Sequence, residues 1–365
     1  GAVMGLTAEE AVGSLGQLQP EQVVEARRIH EELPEEWATA VHHQAGAQSL
    51  MFALLLAQDD NLRGQELEFL RESTDETTYK GTVRFHEEIG DLHSSRKLAL
   101  IDLWMEVPDK VAEVQTCYDA RSVEVSKYVG EEGDFSDKYA VVGCYWPPHF
   151  VIMDGETLEP FKIVSTRSYT YDTEEYHPEP RVASIVASHF KPEWIVNVKE
   201  TGQVWLVNYE DPDNPSIKMI EAERFLHDGG WDATQRYFLV AANQANTIAV
   251  IDALEGKLEA LVETPQTPHP GRGANWIDPE FGPVWSTSHL GEGALIAIGT
   301  DPEENAEHAW QVVRNIPLLG GGGLFIKTHP NSQWIWADHV LNSDEVIQRT
   351  ICVIAKENPT ETHKC

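Results

Sequence analysis

The chain has 365 residues, of which 60 are acidic and 27 basic, giving a formal net charge of −33. A surface this negative repels phosphate backbones, which argues against nucleic-acid binding and favours cationic proteins as docking partners. Hydrophobic residues make up 41% of the chain, enough for a substantial core. No run of about 18 uncharged apolar residues predicts a membrane span.

Residues 1–103 have a helical pattern and predict an α-helical segment of unknown role. Pro20 and Pro34 each suit a first helical turn, and apolar residues follow both at helical spacing. No proline occurs between Pro34 and Pro108, as expected of helices. From Val83 onward the apolar residues are spaced less regularly. The first residues show no basic stretch before an apolar one, so no signal peptide is predicted there.

The pattern changes after about Trp104 to that of strands and turns. Short runs rich in Val, Ile, Tyr and Trp alternate with clusters of Gly, Pro, Asp and Asn. Strands are predicted to begin at Tyr139, Trp194, Tyr237, Val284 and Trp334. The intervals between these positions are 55, 43, 47 and 50 residues. A period of about 40 to 50 residues with several strands per unit is typical of β-propeller blades, while a β-sandwich is the alternative. We therefore expect a mainly β chain, with a partial β-propeller of about five blades over 104–354 and a tail over 355–365.

Sequence patterns for metal or disulfide chemistry are weak. The four cysteines form no C-x-x-C or C-x-x-C-H motif, so we expect small buried hydrophobes and no disulfide framework. His42-His43 and His86-Glu87-Glu88 do not form H-E-x-x-H, which favours a solvated helix face. The run Gly320 to Gly323 lacks the Lys-Ser/Thr of a phosphate loop and predicts a turn. No metal site is predicted.

Nine stretches of the β half are more specific than general strand-and-turn patterns. They are IDLWM (101–105), ARSVE (120–124), YWPPHFVIMDGETLEP (145–160), EYHPEPRVASIVASHF (175–190), VNVKETG (196–202), FLHDGGWD (225–232), TPHPGRGAN (267–275), FGPVWSTSHLG (281–291) and LFIKTHPNSQ (324–333). Their order and spacing resemble the haem d1 domain of cytochrome cd1 nitrite reductase. The resemblance implies a d1 propeller, which has eight blades in that family, with haem d1 as cofactor and reduction of nitrite to nitric oxide as activity.

The resemblance also implies which residues bind the cofactor. Arg121 and Ser122 in ARSVE match the family's haem-carboxylate ligands, as does Arg272 in PHPGRG, and Tyr145 matches a haem-contacting tyrosine. Arginine suits this role because its planar fork pairs with a carboxylate through two hydrogen bonds. Without the resemblance, each arginine would be interpreted as an ordinary surface charge.

His227 and His269 match the family's two distal histidines. They lie 42 residues apart, about one blade repeat, so we expect them on adjacent blades at equivalent depth, facing one ligand. A single histidine in a β domain is more often simply packed or solvated. Loss of one oxygen of nitrite as water needs two protons, and imidazoles suit both proton donation and the attraction of an anion.

Parts of the family pattern are missing. Nothing before Ile101 matches the proximal iron-ligating histidine or the c-type haem domain, and nothing after about Ile354 matches the final blades. A partial ring exposes two sheet edges, although an arc of blades can hold together because each packs mainly on its neighbours. We therefore expect an incomplete d1 propeller in a chimeric or truncated gene product.

The family context implies a periplasmic homodimer that takes electrons from a small c-type cytochrome or cupredoxin. Two other functions stay open: a non-catalytic haem d1 carrier or maturation protein, and a propeller that serves as a protein-docking scaffold. The pair His227 and His269 favours the reductase.

Overall fold

A computed structural model of the protein describes residues 82–89, 93–102, 109–360 and 362–365. Most of the predicted helical segment, residues 1–81, lies outside these residues. Its last part forms a three-stranded antiparallel sheet of β1 (Thr82–Ile89), β2 (His93–Asp102) and β3 (Asp109–Gln115). Residues 82–89 and 93–102 thus differ from the helical expectation. Leu98 and Leu100 of β2 are buried in one core cluster at the two-residue period of a strand.

Strands continue through the rest of the described chain. Before residue 180 they are β4 (Asp119–Val125), β5 (Val129–Gly130), β6 (Gly133–Asp134), β7 (Tyr139–Trp146), β8 (His149–Asp154), β9 (Pro160–Ser165), β10 (Ser168–Tyr169) and β11 (Tyr176–His177). Next come β12 (Val182–Ala187), β13 (Glu193–Val198), β14 (Gln203–Asn208), β15 (Ser216–Glu221), β16 (Leu226–Trp231), β17 (Tyr237–Ala242), β18 (Thr247–Asp252) and β19 (Lys257–Glu263). The last are β20 (Pro268–Asp278), β21 (Gly282–His289), β22 (Ala294–Gly299), β23 (Val312–Pro317), β24 (Ile326–Lys327), β25 (Trp334–Asp338), β26 (Ile351–Ala355) and β27 (Thr362–Lys364), with one short helix, α1 (Glu345–Gln348), before β26.

Within the described residues, these strands form five four-stranded antiparallel sheets and two small ribbons, β5–β6 and β10–β11. Blade 1 has the order β4-β7-β8-β9, and blades 2 to 5 are β12–β15, β16–β19, β20–β23 and β24–β27. Each of the five predicted strand openings falls in the second strand of one blade. The prediction of about five propeller blades is therefore confirmed, and the β-sandwich is not the fold.

The chain divides into two compact units. The first comprises Gly1–Val125, Ser136–Pro147 and Val151–Ile163, and the second comprises Ser126–Phe135, Pro148–Phe150 and Val164–Cys365. In the second unit, the first strands of successive blades contact each other: β12 with β16, β16 with β20, and β20 with β24. This is how propeller blades pack.

The two faces of each blade supply two different cores, because side chains alternate along a strand. Phe238 and Val240 of β17 belong to the core shared with blade 2. Leu239 and Ala241 of the same strand belong to the core shared with blade 4, which contains the fully buried Trp285. The continuous apolar runs that predicted these strands thus reflect burial on both faces.

Aspartates close the turn after the third strand in blades 1, 3 and 4. Asp154 Oδ1 accepts hydrogen bonds from the backbone N–H of Glu156 (3.0 Å) and Thr157 (2.8 Å). Asp252 and Asp301 make the same pair of bonds to the residues two and three positions later. Such Asx turns explain the recurring aspartates at the predicted turns.

The expectation of no disulfides was wrong. Cys117 is bonded to Cys144, and Cys352 to Cys365, so no free cysteine remains in the described chain. Antiparallel pairing of β4 with β7 brings together two cysteines 27 residues apart, a proximity that sequence spacing does not reveal. The second bond ties the chain end to blade 5, where Thr362–Lys364, expected in a tail, forms the fourth strand. In the described residues, no helix has the length and apolar character that a membrane span requires.

Candidate functional site

The first strands of blades 1 to 4 all carry an irregularity in their pairing with the second strand. It lies between Asp119 and Ser122 in β4, between Val182 and Ile185 in β12, between Leu226 and Gly229 in β16, and between His269 and Ala274 in β20. A bulge of this kind bends the strand and re-aims its side chains. Arg121, His227 and Arg272, predicted from sequence, lie inside these bulges, and His269 begins the last one.

His227 and His269 lie side by side in the second unit, with ring centroids 5.0 Å apart. Between them is Asp228, whose Oδ1 is 3.0 Å from His227 Nδ1 and whose Oδ2 is 3.4 Å from His269 Nδ1. Asp228 Oδ2 also accepts a hydrogen bond of 2.5 Å from the backbone N–H of Gly271. The predicted juxtaposition of the two histidines on adjacent blades is thus present, and a carboxylate that sequence reasoning missed joins them.

Hydrogen bonding determines which ring nitrogen carries a proton. A carboxylate can only accept, so His227 donates through Nδ1 to Asp228. His269 Nδ1 lies 3.0 Å from the backbone oxygen of Leu324, which also only accepts. Nδ1 is therefore the protonated nitrogen in both neutral rings. Within the described part of the chain, neither Nε2 makes a hydrogen bond, so the Nε2 atoms are available to a ligand.

Burial governs the electrostatics of this cluster. Only 14% of the His227 side chain is exposed, and 10% of that of His269. Burial lowers the pKa of His227, against the opposing effect of the Asp228 carboxylate. Burial would raise the pKa of Asp228, but the neighbouring His269 ring and the hydrogen bond from His227 outweigh it and hold this pKa below its usual value. Asp228 is thus ionised at neutral pH, as its accepting role requires.

The three groups offer ligand atoms within 4.8 Å of one another, a spacing that would also admit a metal ion. Two imidazoles and one carboxylate are a known ligand set for divalent transition metals. In this structure the Nδ1 atoms of both rings are engaged by Asp228 and Leu324. Hydrogen bonds within the chain thus already orient both rings of the cluster.

Two cations lie beside this cluster. Arg272, in the bulge of β20, is exposed and contacts the backbone oxygen of Gly229 at 3.5 Å. Lys327 is an exposed residue at the end of β24. Partial desolvation of its ammonium and then repulsion by the nearby Arg272 lower its pKa. Among the described residues, neither cation forms an ion pair. Two adjacent cations without an acidic partner, in so acidic a chain, indicate an anion-binding position.

Glycines allow the strands of blades 3 and 4 to approach this closely. An added Cβ on Gly230 would lie 1.8 Å from the backbone oxygen of Arg272, so only glycine fits where β16 passes the bulge of β20. Gly273 has φ +69° and packs against Trp285, where an added Cβ would lie 2.1 Å from the Trp285 Cε2 atom. The glycines that follow His227 and His269 in sequence therefore have a steric role in bringing the two motifs together.

The other predicted cofactor-binding residues lie in blade 1, in the first unit. The Arg121 guanidinium lies over the Tyr145 ring, 5.5 Å from its centroid. Ser122 is buried on β4 next to Arg121. The structure therefore brings Arg121 and Tyr145 together across the β4–β7 pair, as a basic and aromatic surface.

Sequence reasoning missed Asp228, Lys327 and Asn197. Asp228 follows His227 directly, which was an available signal, but its contact with His269 depends on blade packing. Lys327 lies in a quoted motif, yet only the structure places it beside Arg272. Asn197 Nδ2 is 2.6 Å from Ser184 Oγ and 3.4 Å from the backbone oxygen of His227, so this buried amide links the bulges of blades 2 and 3.

Comparisons with known proteins identify relatives of this chain. The family model described as the cytochrome D1 heme domain matches residues 94–365. A nitrite reductase of Stutzerimonas stutzeri is 54% identical over 259 residues, which are 70% of this chain and 45% of that protein. The chain thus spans less than half the length of this curated relative.

Solved structures share the fold at low sequence identity. The dihydro-heme d1 dehydrogenase NirN in complex with DHE is 21% identical, with a TM-score of 0.60, over 77% of this chain and 53% of that chain. The periplasmic gluconolactonase PpgL of Pseudomonas aeruginosa is 14% identical, with a TM-score of 0.54, over 76% of this chain and 79% of that chain. The resemblance drawn from the nine motifs is confirmed by the family match: the chain belongs to the cytochrome d1 haem domain family.

Proposed function

We propose that this chain is the haem d1-binding part of a periplasmic nitrite reductase that forms nitric oxide. The observation that carries the proposal is the cluster of His227, Asp228 and His269 beside two cations that have no acidic partner in the described chain, Arg272 and Lys327. The 54% identity to a nitrite reductase supports the same conclusion.

The donor set fits haem d1, a macrocycle that carries several carboxylates. Arg272 can pair with a carboxylate through two parallel hydrogen bonds, and Lys327 adds a second positive charge from the next blade. Bringing an anion to this pair relieves the repulsion by Arg272, which, after desolvation, lowers the pKa of Lys327. Arg121, Ser122 and Tyr145 are further proposed contacts, on the strength of the family motif.

When bound, haem d1 would supply the iron that takes nitrite and the electron that reduces it. Nitrite, one electron and two protons then give nitric oxide and water. His227 and His269 would deliver the protons from Nε2, since their Nδ1 atoms are held by Asp228 and Leu324. In the protonated form they also attract the nitrite anion. Burial makes protonated His227 a stronger acid, which favours transfer of its proton to a departing oxygen.

The remaining parts of the proposal concern partners. We propose a small c-type cytochrome or cupredoxin as electron donor and a homodimer as the assembled form, both taken from the family. The net charge of −33 favours a donor with a cationic face.

Reconstitution tests the proposal. Purified protein is mixed with haem d1, and the visible spectrum and nitrite-dependent release of nitric oxide are recorded under reducing conditions. We expect binding, with turnover lowered at least about tenfold by His227→Ala or His269→Ala while haem stays bound. Exchange of Arg272 and Lys327 for alanine should weaken binding, whereas the control Arg349→Ala, directly after α1, should not.

The outcomes separate the possible functions. Haem binding without release of nitric oxide would favour a haem d1 carrier or maturation protein. No binding would leave only a docking scaffold for this chain. Equal turnover in wild type and both histidine variants would contradict the roles given to His227 and His269.

A further inference from the structure

We propose that Asp228 is the positioning residue of this site: its carboxylate fixes the tautomer of His227 and lies against His269, whose tautomer Leu324 fixes, so that both rings offer Nε2 to a ligand. The inference rests on the proposed function only for what the two Nε2 atoms do. The bridge itself is a property of this chain with nothing bound.

Each oxygen of Asp228 has its own ring. Oδ1 accepts from His227 at 3.0 Å, and Oδ2 faces His269 at 3.4 Å. Oδ2 is held by the N–H of Gly271 at 2.5 Å, which fixes the carboxylate to the bulge of blade 4. Asp228 itself belongs to the bulge of blade 3, so the carboxylate connects two blades as well as two rings.

The pairing explains why a carboxylate is needed here. An amide has one accepting oxygen and one donating nitrogen. In Asp228→Asn the oxygen must take the Oδ2 position, because the Gly271 N–H needs an acceptor. The amide nitrogen then faces His227 Nδ1, and two donors cannot bond to each other. His227 must therefore move its proton to Nε2, whereas His269 can keep its proton on Nδ1, facing the oxygen and Leu324.

Other charges surround the two rings, and none of them can replace the bridge. They are Lys199 after β13, Arg272 in β20, Lys327 at the end of β24 and Asp338 at the end of β25. Lys199 contributes to the lowered pKa of His227, after the larger effect of burial. Asp338 is the other acidic group near His269, but its Oδ1 accepts from the backbone N–H of Leu324 at 2.7 Å instead of from a ring.

Nitrogen-15 NMR of histidine-labelled protein tests the proposal without haem or nitrite. His227→Gln and His269→Gln assign the two ring signals, and the tautomer and pKa of each ring are followed over a pH titration. We expect protonated Nδ1 for both neutral rings in the wild type. In Asp228→Asn we expect His227 to switch to protonated Nε2 and its pKa to fall by at least about one unit. Asp301→Asn, which alters a turn of blade 4 away from the histidines, should leave both signals unchanged.

Several results would overturn the bridge. A wild-type ring protonated on Nε2 would do so without any variant, even if the substituted proteins failed to fold. Wild-type tautomers and pKa values in Asp228→Asn would do so as well. The proposed function can fail independently of this inference. If the wild type has the expected tautomers but does not bind haem d1, the role of Asp228 is supported and the proposed function is not. If the wild type binds haem d1 but has other tautomers, only the role of Asp228 is contradicted.

Discussion

Gly230 is the point at which blade 3 touches the Arg272 bulge, and alanine at this position perturbs the site through sterics alone. The added Cβ would lie 1.8 Å from the Arg272 carbonyl oxygen and 2.7 Å from its carbon, where ordinary contact begins at 3.4 Å. The bulge must therefore move away by about 1.6 Å, which is the difference between the 1.8 Å from the Cβ to the carbonyl oxygen and the 3.4 Å of an ordinary contact. A shift of that size breaks the hydrogen bond from Gly271 to Asp228, now 2.5 Å.

The free-energy cost follows from these two events. Overpacking of a close contact costs about 1–3 kcal/mol, and loss of a hydrogen bond to a charged group about 1.5–3 kcal/mol. Gly230→Ala should thus lower the free energy of unfolding by about 2.5–6 kcal/mol and the Tm by roughly 10 °C. Urea unfolding followed by circular dichroism measures the first quantity, and the histidine NMR signals report on the site.

Gly299→Ala is the matched control. Its Cβ would meet the backbone oxygen of His308 at 2.2 Å, a comparable clash in blade 4, at the end of the sheet opposite His269. We expect destabilisation by about 1–3 kcal/mol with unchanged signals from the two site histidines. The reasoning is refuted if Gly230→Ala unfolds like the wild type, or if it loses stability while both histidine signals stay in place.

Three other features make measurable predictions. Arg314 makes two bonds of 2.9 Å to the fully buried Asp278, so Arg314→Met should cost about 3–5 kcal/mol at pH 7 in urea unfolding. Because the pair lowers the pKa of Asp278, this difference should shrink below about pH 4, and a constant difference would contradict it. Because the pKa of His227 is lower in the folded chain than in the unfolded chain, the unfolded chain binds a proton at higher pH. The free energy of unfolding should therefore fall as the pH drops below about 6.5. His227→Gln should flatten that part of the profile, and parallel curves would argue against it. The Cys117–Cys144 bond closes a loop of 27 residues, so replacing both cysteines with serine should lower the unfolding free energy by about 3–4 kcal/mol; an unchanged midpoint would exclude this contribution.

Local patterns were enough to predict the blades and the pair of histidines. Strand-forming runs and Asx turns recur at nearly constant intervals, and both are properties of a few consecutive residues. The 42-residue spacing of His227 and His269 equals about one repeat, which placed them correctly on adjacent blades. Where local periodicity was weak, as in β1 and β2, the prediction of helix differed from the structure, since pairing with a third strand decided the outcome.

Only the tertiary structure decided which groups meet across strands and blades. The two disulfides join residues brought together by strand pairing, and the Asp228 bridge joins the bulges of two blades. Lys327 is a candidate anion ligand only because the fold brings it near Arg272, which lies 55 residues earlier in the chain. Sequence carries the identity of such groups, whereas their contacts depend on register, bulges and blade packing, which arise from interactions distant in the chain. The sequence by itself therefore determined the repeat, the family and the two histidines, and the fold determined the carboxylate that joins them.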